Sequence, residues 1–350
     1  MLVESQSPPQ ADAVTPPAPP ARRAMPRAAG LVVSGLVLVA VAVASIALGA
    51  RPLALDQVWH GLFHDTGRYA DVVVGERVSR TVLGMVAGLA LGLAGAVLQA
   101  LTRNPLADPG ILGINMGASA AVVTAISFFG VTSFSGYVWF AFIGSAAVGV
   151  LVHALGGSRS ATPVRLALAG TAVTAALSGY LYAVMIGDDV ALNRMRFWQV
   201  GSLASARTDT IQQVLPFVVV GALLALGLAR PLNAMAMGDD TARALGAHLG
   251  RTRALGMAAA TVLCGAATAA CGPIVFIGLM VPHIVRSFTS PDMRWILPYA
   301  AVLSPVLLLG ADVVGRLVAR PAELQVGIVT AVIGAPVFIF LVRRRRPAQL

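Results

Sequence analysis

The polar residues of this chain are few, and their spacing limits the chemistry they could do. Asp312 and Arg316 stand four apart, the separation at which side chains on one helix face meet as an ion pair. Arg77 and Arg80, three apart with Glu76 adjacent, also share a face. Taken alone they read as arginines that lay an apolar stem along a membrane boundary and keep the charged head in water. Gly238-Asp239-Asp240-Thr241-Ala242-Arg243-Ala244-Leu245-Gly246 spells a glycine break, an Asp cap, an Asp239/Arg243 pair at i,i+4 and a terminal glycine, hence a short helix capped at both ends. So short a helix is not stable alone in water. It must dock on its own bundle or on a partner protein, and the residues leave that open. Arg103-Asn104-Pro105-Leu106-Ala107-Asp108-Pro109-Gly110 reads as a turn: its prolines end one helix and delay the next, while Asn and Asp satisfy exposed backbone. His283 has no second ligand at metal spacing, and Cys264 and Cys271 read as small core residues. There is no G-x-S-x-G, no H-E-x-x-H and no carboxylate pair inside an apolar run, so no catalytic set, metal or cofactor is expected.

The elements that must position these residues follow from composition. Of 350 residues, 57% are hydrophobic and 11% charged, against about 25% charged in an ordinary soluble domain. That excludes a soluble enzyme, a disordered chain and a disulfide scaffold, and leaves a polytopic all-α membrane protein. All 25 basic residues are Arg, none Lys, for a net charge of +10. They lie singly or in pairs between apolar runs rather than on one face, which argues against a nucleic-acid partner. A Walker A loop requires G-K-[ST], so any ATP that drives this protein binds another subunit.

Residues 1–28 are rich in Pro and Ala and read as a disordered tail. The run Ala28–Ala50 is longer than a signal peptide's apolar core and reads as a retained first helix. Further runs follow at Val82–Leu101, Ile111–Val131, Val138–Gly157, Leu166–Gly187, Val214–Ala229, Ala254–Cys271, Ile274–Val285, Ile296–Ala311 and Val326–Val342. Ile274–Val285 is short and bounded by Pro273 and Pro282, as a broken or re-entrant segment would be. Ten spans, within a membrane domain of residues 29–342, put both termini on one side together with 16 of the arginines, leaving 9 on the other. The positive-inside rule then places the termini, including the basic tail 343–350, in the cytoplasm. Gly84, Gly88 and Gly92, with Gly95 beyond, form a small-residue stripe that serves tight packing within the chain or, as the alternative, a dimer face.

In series these segments resemble the iron–siderophore and cobalamin ABC-transporter permease family. The resemblance rests on Gln99 with Arg103 to Pro109; Gly113 and Gly117-Ala118; Trp198 with Gly201-Ser202; Gly238, Ala242 and Leu245-Gly246; and Gly272-Pro273-Ile274, Phe276, Gly278-Leu279, Pro282-His283 and Arg286. It continues through Asp312 with Arg316, Glu323, Val326-Gly327-Ile328, Thr330, Gly334-Ala335-Pro336 and Phe338. Gln325 stands where the family has Pro, Ser290 to Arg294 lacks the family's Gly and His, and Thr162-Pro163-Val164 departs from its second polar gate element.

The resemblance implies a ten-helix type II importer fold and two permease subunits around one pathway. It also implies two ATPases and an extracytoplasmic binding protein, serving a ferric siderophore or, alternatively, cobalamin or haem. It implies that 231–250, with Gly238, Asp239, Ala242, Arg243, Leu245 and Gly246, couples to the ATPase, and that Asn104 and Leu106 narrow a cytoplasmic gate. It implies that Arg77, Arg80 and Arg316 point outward to meet Glu residues of the binding protein. A reading from another class, a secondary transporter or channel working alone, is disfavoured because Gln99 and Asp312 are too few for an ion relay.

Overall fold

The computed structural model describes residues 27–344 apart from 65, 132, 157–162 and 245. The expected N-terminal tail, the last residues of the basic tail, Thr162 and Leu245 therefore lie outside the described residues. The helices are α1 (Arg27–Ala47), α2 (Leu55–Phe63), α3 (Tyr69–Leu101), α4 (Ile114–Phe129), α5 (Phe134–Leu155), α6 (Pro163–Gly187) and α7 (Asp189–Trp198). They continue as α8 (Thr208–Gly227), α9 (Ala229–Ala236), α10 (Asp239–Ala244), α11 (Leu249–Cys271), α12 (Ile277–Phe288), α13 (Met293–Val318) and α14 (Val326–Arg344). A 3₁₀ turn at Pro109–Leu112 leads into α4.

Seven helices (α1, α3, α5, α6, α8, α11 and α13) are long and apolar enough to cross a membrane, and three shorter apolar ones (α4, α12 and α14) complete the ten apolar runs. Helices α2, α7 and α9 carry too many polar residues to show as apolar runs. The second span is longer than its apolar run, beginning at Tyr69 rather than Val82. Charge interrupts hydropathy there but not the helix, because each charged side chain that turns inward has a partner. Asp71, for example, accepts from the Thr66 hydroxyl at 2.6 Å and faces His60 Nδ1 at 3.2 Å.

Helix α3 is the axis of the bundle, packed by α13, α11, α12 and α2. Its glycine stripe makes this possible. A Cβ on Gly88 would stand 2.6 Å from the Pro305 backbone, one on Gly92 2.0 Å from Ser304 Oγ, and one on Gly95 1.9 Å from the Gly278 carbonyl. Lipid tails give no hydrophobic drive for helix association, so contact of this closeness is what holds the bundle. The stripe is thus spent on packing within the chain. Cys264 and Cys271 are buried free thiols in α11.

The break between α11 and α12 is one-sided. Gly272 (φ 72°) and Phe276 (φ 69°) turn the chain through an irregular stretch, but α12 then runs through Pro282 to Phe288, contrary to the expected second break. Pro282 has no N–H, so the Gly278 carbonyl loses its helical donor. Gln99 of α3 replaces it: its buried Nε2 donates to the Gly278 carbonyl at 3.3 Å and to the Leu279 carbonyl at 3.1 Å. Its Oε1 in turn accepts from the Arg286 guanidinium.

Candidate functional site

At one end of the bundle, α1 stops at Ala47 and leaves a set of carbonyls without helical donors. Unpaired carbonyls are costly at membrane depth, and the C-terminal dipole favours cations. Arginines from other elements fill the need. Arg77 donates to the carbonyls of Ile46 (3.1 Å), Ala47 (2.9 Å) and Arg51 (2.5 Å). Arg316 donates to those of Ser45 (2.9 Å) and Leu48 (3.0 Å), and Arg320 to that of Gly49 (2.7 Å). Arg316 also pairs with Asp312 at 3.1 Å, the ion pair expected from their spacing. Asp312 is fully buried and takes Arg80 as well, at 2.8 Å, while the other arm of Arg80 holds the exposed Glu323 at 2.6 Å.

Arg77, Arg80 and Arg316, expected as outward docking residues, each give their guanidinium group to partners within the chain. Arg77 and Arg316 are 6% and 1% exposed, and their charge is committed to the end of α1. Arg80 is 11% exposed at its side chain and links the buried Asp312 to the exposed Glu323. All three contribute to the wall of an open cavity of about 890 Å³ whose rim carries the exposed Arg51, Arg207 and Glu76.

Elsewhere in the bundle three chain breaks meet. Gly201 (φ 77°) lies against the Pro273 carbonyl, Gly272 against the Trp198 carbonyl and Gly327 against the Val200 carbonyl, so closely that a Cβ would come within 2.4, 2.2 and 1.7 Å. The freed backbone pairs across the junction, Ser202 N–H to the Cys271 carbonyl at 2.8 Å and Gly327 N–H to the Gly201 carbonyl at 3.1 Å. Irregular backbone is tolerated at membrane depth where it is buried or lines a cavity, and here it does both. A cavity of about 580 Å³ runs beside the junction, lined by Leu106, Asn115, Thr174, Gln199, Phe276 and Phe338 among others. Asn104 lines a separate cavity of about 310 Å³ against the start of α6. The two residues expected to form one gate thus sit on one turn but face different spaces. That turn is built as expected: Asn104 Oδ1 accepts from Leu106 N–H at 2.9 Å, and Asp108 caps the 3₁₀ turn through Gly110 N–H at 2.8 Å.

At the opposite end, α9 and α10 are fastened to the bundle from below. Asn233 of α9 donates to Asp292 at 2.6 Å and accepts from Met293 N–H at 2.8 Å, tying α9 to the start of α13. Arg294 beside Asp292 holds that carboxyl down to about 2. Asp239 at the head of α10 pairs with Arg253 of α11 at 2.9 Å and with Arg103. Burial works to raise the Asp239 carboxyl, but the two guanidinium groups outweigh it and hold it below the ordinary carboxylate value. The expected Asp239/Arg243 pair does not form, because Asp239 is turned toward the bundle; Arg243 pairs instead with Asp240 at 2.7 Å on the outer face. Gly238 (φ 107°) and Gly246 (φ 78°) make the turns that bound the helix. Ala242 is buried, while Asp240, Thr241, Arg243 and Ala244 are exposed. The short helix therefore docks by one face and offers the other.

Sequence reasoning passed over Arg103, Asn233 and Arg253, which do the fastening. Arg103 stood inside a recognised motif but carried no role, and its partners are distant in sequence.

An all-helical bundle of this kind, with a broken-helix junction inside it and a half-docked short helix at one end, defines a multi-pass membrane transport protein. The chain belongs to the FecCD transport family, whose model matches residues 37–344. It is 45% identical over 314 residues to the Escherichia coli (strain K12) ferric enterobactin transport system permease protein FepD, covering 89% of this chain and 93% of that one. It is 36% identical over 317 residues to the Yersinia pestis hemin transport system permease protein HmuU (89% and 94%). It is 38% identical over 283 residues to the Halobacterium salinarum (strain ATCC 700922 / JCM 11081 / NRC-1) cobalamin import system permease protein BtuC (80% and 76%). Among solved structures, an inward-facing metal-chelate type ABC transporter superposes with a TM-score of 0.80 at 26% identity, covering 91% of this chain and all of that one.

Proposed function

We propose that this permease subunit imports a ferric siderophore by alternating access, with ATP hydrolysed by two partner ATPases and cargo delivered by an extracytoplasmic binding protein. Two permease subunits, identical or related, enclose the pathway, and both termini face the cytoplasm. The observation that carries the ATP-driven reading is α10: it is held to the bundle through Asp239 and Ala242 and exposes Asp240, Thr241, Arg243 and Ala244. A half-docked helix of six residues has a free face to give to a partner. The siderophore reading is supported by the similarity to FepD, and haem or cobalamin is the alternative cargo.

In this reading Gly238, Asp239, Ala242, Arg243, Leu245 and Gly246 form the coupling segment, and the turn carrying Asn104 and Leu106 belongs to the cytoplasmic gate. Of the three outer arginines, Arg80 with its exposed partner Glu323 belongs to the docking surface. Arg77 and Arg316 serve it indirectly, by fixing the end of α1 beside the outer cavity.

The test is uptake in vesicles that contain the protein with its ATPase and binding-protein partners. Iron-loaded siderophore should accumulate only with ATP inside the compartment that holds the ATPase. Accumulation that survives loss of ATP and collapses with the proton gradient would overturn the importer reading in favour of a secondary transporter. Mass spectrometry of the chelate retained by the binding protein decides the cargo.

A further inference from the structure

Arg103 occupies an unusual place. It is one of two non-glycine residues among those described with a positive φ, at 49°. It stands two residues past the end of α3, directly before the Asn104–Pro109 turn. Its guanidinium crosses to the other segment: Nε and Nη2 both donate to the Met235 carbonyl of α9, at 3.0 and 2.6 Å, and Nη2 pairs with Asp239 of α10. Asp239 is shared with Arg253 at 2.9 Å, so α9, α10, α11 and the turn meet in one charge-assisted cluster. Arg103 is 41% exposed at its side chain and Asp239 31%. Water therefore screens the pair, and its fork geometry, two bonds to a carbonyl and one to a carboxylate, matters more than its Coulomb energy.

The left-handed backbone explains why the side chain can reach. A helical φ at this position would continue the direction of α3, whereas the reversal at Arg103 starts the Asn104 turn and swings the guanidinium toward Met235. One residue thus sets both the departure angle of the turn and the position of the short helix. Asn104 follows directly, and its side chain fixes Leu106 through a 2.9 Å bond. A displacement of α10 has a bonded route to Leu106 through Asp239, Arg103 and Asn104.

We propose that Arg103 is the joint that makes the Asn104–Leu106 turn move with α10, and so transmits motion at the exposed face of α10 to the cavity lined by Leu106. This rests on the coupling and gate reading above. Arg103 is a positioning residue: it acts through Asp239 and the turn.

Two measurements test it. The first uses the permease alone in detergent and does not depend on ATP: hydrogen exchange of residues 104–112 and 229–244 in the parent, Asp239→Ala and Arg103→Ala. Asp239→Ala, which changes a residue of α10 and leaves the sequence of the turn intact, should raise exchange in 104–112 as well as in 229–244. Exchange in 104–112 equal to the parent would overturn the joint.

The second uses the protein reconstituted with its ATPase and binding-protein partners, and reads cargo imported per ATP hydrolysed. Arg103→Ala should keep the ATPase bound and active but lower that ratio roughly tenfold, the weight of one charge-assisted hydrogen bond. Arg103→Lys, which keeps the charge without the fork, should fall between. An unchanged ratio would overturn the proposal. So would loss of ATPase binding in Arg103→Ala, because the residue would then belong to the docking of α10 alone. If the parent itself imports without ATP, the importer reading fails while the exchange result still decides the joint.

Discussion

Gln99 illustrates how one side chain can stand in for a missing peptide proton. Pro282 deprives the Gly278 carbonyl of its donor, and Gln99 supplies one from a neighbouring helix while accepting from Arg286. Gln99→Leu should destabilise the protein by about 1–3 kcal/mol, the cost of leaving buried polar groups unpaired. Thermal unfolding in detergent would read this. The double variant with Pro282→Ala restores an intrahelical N–H to Gly278, so the two changes should be non-additive, with the double variant recovering part of the loss. Strict additivity would show that Gln99 does not serve that carbonyl. A parallel contrast separates buried from exposed charge at the other end. Asp312→Asn, which removes the buried carboxylate shared by Arg80 and Arg316, should cost about 3–5 kcal/mol, whereas Glu323→Gln at the rim should cost less than about 1 kcal/mol. Sequence spacing was enough to pair Asp312 with Arg316, because both lie on one helix. It could not reveal Arg80, Ser45 or the end of α1 as further partners, since those contacts exist only after α1, α3 and α13 pack. For the same reason spacing gives no sign of the carbonyls at the end of α1 that Arg77 and Arg316 satisfy.

Among elements, the glycine stripe of α3 and the break before α12 were legible, because Gly spacing and Pro position act locally. The start of α3, the existence of α2, α7 and α9, and the continuity of α12 through Pro282 were not, since each depends on a partner brought by the fold. The stripe makes a sharp prediction. Gly95→Ala puts a Cβ 1.9 Å from the Gly278 carbonyl and must push α3 and α12 apart. It should cost about 1–3 kcal/mol or more, as overpacking does. Gly310→Ala on α13 meets nothing within 4 Å and should be neutral or stabilising by up to about 1 kcal/mol through helix propensity. Melting temperatures of the two variants in the same detergent check this, and a similar loss in both would mean that packing at Gly95 is not the cause. The short helix α10 offers a second contrast. Asp239→Ala, which cuts its tie to the bundle, should impair ATP-driven import far more than Asp240→Ala, which breaks only the exposed pair with Arg243. Equal effects of the two on uptake would place the tie outside the coupling route.

For the molecule as a whole, the arginines divide between two ends that α3 holds apart. Helix α3 has 33 residues, which at about 1.5 Å each span about 50 Å, more than the roughly 30 Å of a bilayer's hydrocarbon core. Arg77 and Arg80 of one cluster precede the end of α3 at Leu101 by 24 and 21 residues, about 32–36 Å at that rise, and the cluster of Arg103, Asp239 and Arg253 lies just past that end. The two clusters must then lie on opposite sides of the membrane. Under the proposed orientation, which puts the excess of arginine on the cytoplasmic side, the Arg103 cluster faces the cytoplasm. Replacing exposed Asp56 with Cys on α2 and exposed Asp240 with Cys on α10 turns this into a measurement, with little background because Cys264 and Cys271 are 0% and 4% exposed. A membrane-impermeant maleimide applied to intact spheroplasts should label Asp56→Cys at once and Asp240→Cys only after permeabilisation. The reverse pattern would invert the orientation and remove α10 from reach of a cytoplasmic ATPase. Labelling of both from outside would mean that α3 does not cross, and would undo the span assignment from α3 onward.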